Sequence, residues 1–189
     1  MALVAVYDAC VLFPATLRDL LLRLADAGLV QARWSDRILD ECFRNIQLKR
    51  PELSEAALRR TRQTMCRAFP DAMVGSEGAL PPGTTLPDAD DVHVLAAAVE
   101  AGATSIVTFN LRDFPVGVLA PLGVGALHPD DFVLARIDEA PGLVCAVIEG
   151  QARALHNPPA TARELVSRLS IQGLPRSAAR LADLLGESA

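Results

Sequence analysis

Asp8, Asp91 and Asp113 are the residues of this sequence whose type and placement point most directly to chemistry. Asp8 follows the continuous apolar run Leu3-Val4-Ala5-Val6-Tyr7, which reads as a buried strand. Asp91 closes the acidic cluster Asp88-Ala89-Asp90-Asp91 and opens an alanine-rich apolar segment, His93 to Glu100, whose composition favours helix. Asp113 lies just beyond Ser105-Ile106-Val107-Thr108-Phe109, a β-branched run bounded by turn-formers that predicts a second buried strand. Each acid has a bland explanation: a turn acid, a helix N-terminal acid and a loop acid. In open α/β sheets, however, groups at the carboxyl ends of parallel strands converge on one edge. Three carboxylates gathered there predict a site for a divalent cation.

The flanking elements must hold that edge together. Leu17, Leu20, Leu21 and Leu24 recur at helical spacing and predict an amphipathic helix that packs on the sheet and ends at Gly28. Ser35 is an N-cap for a helix from Asp36 to about Leu48, with Asp36 in its favoured first turn. Pro51 breaks a helical hairpin whose second arm starts at Ser54 and turns Leu58, Thr61 and Met65 inward. Between Pro70 and Pro87, a short strand around Ala72-Met73-Val74 leads into a glycine- and proline-rich connection. Val124 to Leu127 predicts the last parallel strand, and Pro129 starts a helix to about Glu139 in which Asp130 and Asp131 complement the dipole. Further on, a helical pattern runs from Leu143 to Leu155. Thr161-x-x-Glu164 has the form of a capping box for a second helix, on which Leu165 and Leu169 share a face. A third helix begins at Pro175, after Gly173.

Composition sets the outer bounds. At 189 residues with 51% hydrophobic content, the chain can build a sizeable core. A net charge of −5 argues against a protein that coats nucleic acid by bulk charge. Cys10, Cys42, Cys66 and Cys145 are widely spaced without a zinc pattern and read as reduced core residues. No apolar stretch reaches the ~18 residues that span a membrane, and a cytoplasmic protein is expected. Basic residues concentrate from Arg44 to Arg67, where Arg44, Lys49, Arg50, Arg59, Arg60, Arg62 and Arg67 face only Glu52 and Glu55. This stretch reads equally as an RNA contact surface or as a plain solvated helix face, because Lys49 is the only lysine of the chain and arginine usage is biased throughout.

Tyr7-Asp8, Asp91-x-x-Val94-Leu95-Ala96-x-Ala98 and Ile106-Val107-Thr108-x-Asn110-x-x-Asp113-Phe114, in that order, resemble the PIN-domain nucleases, and more narrowly the VapC toxins of bacterial toxin-antitoxin pairs. The resemblance covers roughly Met1 to Phe132. It implies a three-layer α/β/α fold around a central parallel sheet, with a nuclease domain over 1–140 and a C-terminal helical extension over 141–189. PIN domains place a further acid on the helix after Ser35, where Glu41 rather than Asp40 occupies the expected position. The implied ligand set is therefore Asp8, Glu41, Asp91 and Asp113, supported by hydrogen bonding from Thr108 and Asn110. Asn110 departs from the simplest family pattern, in which an aspartate often stands there. Hard oxygen ligands suit Mg²⁺ or Mn²⁺. The implied activity is metal-dependent hydrolysis of structured RNA such as transfer RNA by an activated water, restrained by a cognate antitoxin, with Arg44, Lys49, Arg50, Arg59 and Arg60 as RNA contacts. A phosphatase or DNA nuclease on a similar edge, and a degenerate non-catalytic RNA- or protein-binding scaffold, are the competing readings. The C-terminal helices leave core cover, homodimerisation, antitoxin binding and an extended RNA surface open. His93, two residues past Asp91, does not by its position alone establish a general base.

Overall fold

A computed structural model describes residues 3–75, 78–156 and 158–187. The chain divides into two compact units, one of residues 1–13 and 31–127 and the other of residues 14–30 and 128–189.

The first unit is built on a five-stranded, wholly parallel sheet in the order β3-β2-β1-β4-β5, flanked by helices. Its central strand, β1 (Val4–Tyr7), is the apolar run that precedes Asp8; Ala5, Val6 and Tyr7 are fully buried, as a strand covered on both faces requires. β4 (Ser105–Val107) lies beside it in a register that pairs Tyr7 with Val107, and β5 (Gly125–Leu127) closes that side. On the other side lie β2 (Gln31–Ser35) and the two-residue β3 (Met73–Val74). The Tyr7–Val107 register matters most: it sets Asp8 and Thr108, the residues that follow, side by side at the carboxyl edge.

The helices of this unit start where the sequence provides caps. α1 (Ala9–Leu12) begins directly after Asp8. The Ser35 hydroxyl accepts from the Ile38 N–H to open α3 (Asp36–Lys49), and Ser54 does the same for Ala57 in α4 (Glu55–Ala68). Arg62 of α4 clasps both Asp36 and Asp40 of α3, so the hairpin is tied by charge as well as by apolar contact. α5 (Val92–Glu100) buries everything from His93 to Ala98. It stops at Ala101-Gly102, where Gly102 takes φ +58° and the chain turns into β4. Trp34, fully buried on β2, meets Phe69 edge to face at 6.0 Å.

The second unit is all helical. α2 (Ala15–Asp26) buries Leu17, Leu20, Leu21 and Leu24 as its periodicity predicts, and it packs against α8 (Pro141–Ala154) and α9 (Ala162–Ile171). α10 (Pro175–Glu187) packs chiefly on α9 and on α7 (Pro129–Glu139). The Thr161 capping box forms reciprocally, its hydroxyl accepting from Glu164 N while the Glu164 carboxylate accepts from Thr161 N at 2.7 Å. Asp130 does more than complement the dipole of α7. It is buried and accepts from the backbone N–H groups of Arg176 at 3.0 Å and Ser177 at 2.8 Å, capping the start of α10 from a different helix. The Ser177 hydroxyl donates back to the Asp130 carbonyl at 2.8 Å. Beyond these helices α6 (Val116–Leu119) is a single turn of the first unit. No helix among the described residues is long and apolar enough to cross a membrane.

Candidate functional site

The carboxyl edge of β1 and β4 carries a closed polar network. Asp8 is 3% exposed, and its carboxylate accepts three hydrogen bonds: from Ala9 N to Oδ1 at 2.6 Å, from Thr108 Oγ1 to Oδ2 at 2.7 Å and from Cys10 Sγ to Oδ2 at 3.1 Å. Thr108, itself fully buried, also accepts from Asn110 N at 3.0 Å, and Phe109 N donates to Cys10 Sγ at 3.3 Å. The two strand ends are thereby cross-linked through one carboxylate. Cys10 is a working part of that network, where a plain core residue had been expected. Its only signal in the sequence is its position two residues after Asp8. None of the four cysteines is in a disulfide. Burial, followed by the charge of Asp8, pushes the Cys10 thiol pKa far above its ordinary value.

Asp91 stands at the N-terminus of α5 without capping it; the cap of the preceding 3-10 turn is Asp88, which accepts from Asp90 N at 2.9 Å. The Asp91 carboxylate is left facing other acids. Burial raises its pKa first, and the charges of Asp8, Asp88, Asp113 and Glu41 raise it further, to about 7. Asp8 is raised as well, by burial and by Glu41, although its bonds from Thr108, Cys10 and Ala9 pull the other way. Asp8, Glu41, Asp91 and Asp113 therefore share one electrostatic neighbourhood, with Asp88 at its rim. Glu41 reaches it from α3, where it pairs with neither Arg37 nor Arg44; the exposed Asp40 beside it pairs with Arg62 instead. Asp113 ends the 3-10 turn Leu111–Asp113, with Arg112 Nε 3.6 Å from its Oδ1.

A polar cleft of about 550 Å³ opens beside Glu41 and Asp91; Asp8 and Asp113 are not among the residues that line it. Its α3 wall carries Arg37, Asp40, Glu41, Arg44 and Asn45, and the opposite side carries Asp88, Asp90, Asp91, His93 and Asn110. Of the residues expected to touch RNA, Arg44 is on the cleft itself and makes no ion pair among the described residues. Arg50 and Arg59 are paired with Glu52 and Glu55, Lys49 Nζ lies 5.6 Å over the Phe13 ring, and Arg60 is exposed on α4.

The donor set fits a hard divalent cation: several carboxylates, two with raised pKa values that a cation would relieve, at the end of a parallel sheet. As the side chains stand, no three His, Cys, Asp or Glu residues among those described are drawn into ligating range of one point.

Residues 4–112 match the PIN domain family model, more than half of the chain, and the chain belongs to the PIN-domain family. Residues 129–183 match a second model, described as the VapC50 C-terminal domain. Over 90 residues the chain is 46% identical to "Putative ribonuclease VapC50" of Mycobacterium tuberculosis (strain ATCC 25618 / H37Rv), a match covering 48% of this chain and 53% of that relative. The chain thus matches about half the length of this curated relative. No solved structure matches it.

Proposed function

We propose that this protein is a metal-dependent endoribonuclease and the toxin of a toxin-antitoxin pair, in which Asp8, Glu41, Asp91 and Asp113 hold Mg²⁺ or Mn²⁺. The observation that carries the reading is the setting of Asp91 beside a polar cleft, where burial first, then the charges of Asp8, Glu41 and Asp113 from other elements and of neighbouring Asp88, raise its pKa. A fold with no further role for that edge gains nothing from placing such repulsion there. Membership of the PIN family and the name of the Mycobacterium relative support the same direction.

Bound at these carboxylates, Mg²⁺ or Mn²⁺ supplies Lewis acidity at a phosphate and acidifies water for attack on phosphorus. The protein's own part is positional. Thr108, Cys10 and Ala9 N fix the Asp8 carboxylate in one rotamer. Arg37 and Arg44, one turn before and just under one turn after Glu41 on α3, present guanidinium groups to the cleft where the phosphates flanking a scissile bond would pass. Asn45 and Asn110 add neutral hydrogen-bonding groups on the same walls, suited to sugar hydroxyls or base edges of a single-stranded loop. No side-chain nucleophile is needed. Structured RNA such as transfer RNA presents such loops, and a cognate antitoxin is the partner that a toxin requires.

Growth on induced expression tests the toxin reading. The wild-type chain is expected to arrest growth, co-expression of its antitoxin to restore it, and Asp8→Asn to be harmless at equal protein level. Arrest that survives Asp8→Asn would count against metal-dependent cutting and favour the non-catalytic scaffold.

A further inference from the structure

The acids of the cluster are not held equally. Asp8 is fixed by three donors, whereas the side chain of Asp91 has few torsions but makes no cap bond at its helix start. Glu41 has three side-chain torsions and a side chain 33% exposed, and its helix neighbours Arg37, Arg44 and Asn45 face the cleft without bonding to it. Among the described residues, its carboxylate has one polar partner: His93 Nε2, 3.5 Å from Oε2. His93 is on α5, its side chain is 3% exposed, and its Nδ1 is buried with nothing to bond.

From this arrangement we infer that His93 is a positioning residue, which holds the Glu41 carboxylate in the cluster through an Nε2–H donor. The inference rests on the metal-site reading above. Nε2 is the ring nitrogen that faces an acceptor, while Nδ1 is buried without a hydrogen-bond partner among the described residues, so a single ring N–H is best used on Nε2. Neither nitrogen is then available to take a proton from a substrate or water, so the ring acts through Glu41. The pair also ties α3 to α5, the helix that carries Glu41 to the helix that Asp91 precedes. Outer hydrogen bonds of this kind orient metal-binding carboxylates, and their loss typically weakens metal affinity about 10- to 100-fold.

The test is calorimetric titration of the purified full-length chain with Mn²⁺, with thermal melting as the check on folding. His93→Gln, whose amide nitrogen falls near the Nε2 position, is expected to bind within about threefold of wild type. His93→Asn, whose amide falls near Nδ1, and His93→Phe, which keeps the ring but no donor, are expected to bind about tenfold or more weakly. Because His93 acts through Glu41, adding His93→Asn to Glu41→Gln is expected to weaken binding no further than Glu41→Gln alone. Wild-type affinity in His93→Asn and His93→Phe, or an additive loss in the double variant, overturns the inference and leaves the metal site standing. A wild type that binds no Mn²⁺ overturns both. Imidazole ¹⁵N spectra of the unsubstituted protein read the tautomer without any variant: the Nε2–H form of His93 is expected, and an Nδ1–H form contradicts it.

Discussion

At the level of single residues, burial and neighbouring charge raise the pKa of two acids of the cluster, Asp8 and Asp91. Asp91 is the clearest case. Its folded pKa of about 7 lies well above the value near ~3.9 that an unfolded aspartate has, so between those limits the native state binds the extra proton. The sign follows: stability of the metal-free protein is expected to fall as pH rises from about 4 toward 7 and to level off above. A cation must displace that proton, so Mn²⁺ affinity is expected to rise over the same range and then level. Urea unfolding and Mn²⁺ titration across pH, for wild type and Asp91→Asn, check both; a wild-type slope identical to that of Asp91→Asn would show that Asp91 is not the group responsible. Asp8 and Asp91 were legible in the sequence because each stands beside an apolar run whose direction is plain. The Cys10 and His93 contacts were not, because they depend on side-chain reach across elements: Cys10 meets Thr108, and His93 meets Glu41.

Among the elements, those with local signals were readable and those defined by their partners were not. β1, β4, α3, α4 and the capping box at Thr161 follow from apolar runs and cap residues next to each other in sequence. β2 did not stand out. Gln31-Ala32-Arg33-Trp34-Ser35 alternates polar with apolar, unlike a typical interior parallel strand, yet it pairs with β1 on one side and β3 on the other. Arg33 is accommodated by donating to the Ala32 carbonyl and to Gln31 Oε1. Asp130 is a similar case: a first-turn acid explains itself locally, and nothing in sequence links it to Arg176 and Ser177. Burial pushes its carboxyl up, but the bonds from Ser177 and the Arg176 backbone outweigh it and leave the pKa below the usual carboxylate value. Such a group stabilises the fold above the unfolded pKa, and that contribution is lost as pH falls through the folded one. Asp130→Ala is expected to cost about 1–2 kcal/mol near neutral pH, as loss of a helix cap does, with the difference from wild type narrowing in acid. Urea midpoints measured at several pH values decide it; an equal difference at all pH values would mean that the carboxylate charge contributes nothing.

At the scale of the whole molecule, acidic and basic side chains meet at one cleft. Five acids, Asp40, Glu41, Asp88, Asp90 and Asp91, line the cleft together with Arg37 and Arg44. The arginine-rich stretch is smaller as a binding surface than its composition implies, because Arg50, Arg59 and Arg62 are engaged by Glu52, Glu55, Asp36 and Asp40. Arg37 and Arg44 are left beside the acids, which favours local grip on one stretch of backbone over coating of a long one. On the reading proposed above, RNA lying in this cleft is cut with a divalent cation held by the carboxylate cluster beside it. Incubating purified, antitoxin-free protein with total cellular RNA and Mg²⁺ or Mn²⁺, beside an EDTA control and Asp91→Asn, tests it most directly. Discrete RNA products that require both the metal and Asp91, with DNA and phosphate monoesters left intact, are predicted. Folded, metal-loaded wild-type protein that leaves RNA uncut, or cuts it equally well as Asp91→Asn, would contradict it.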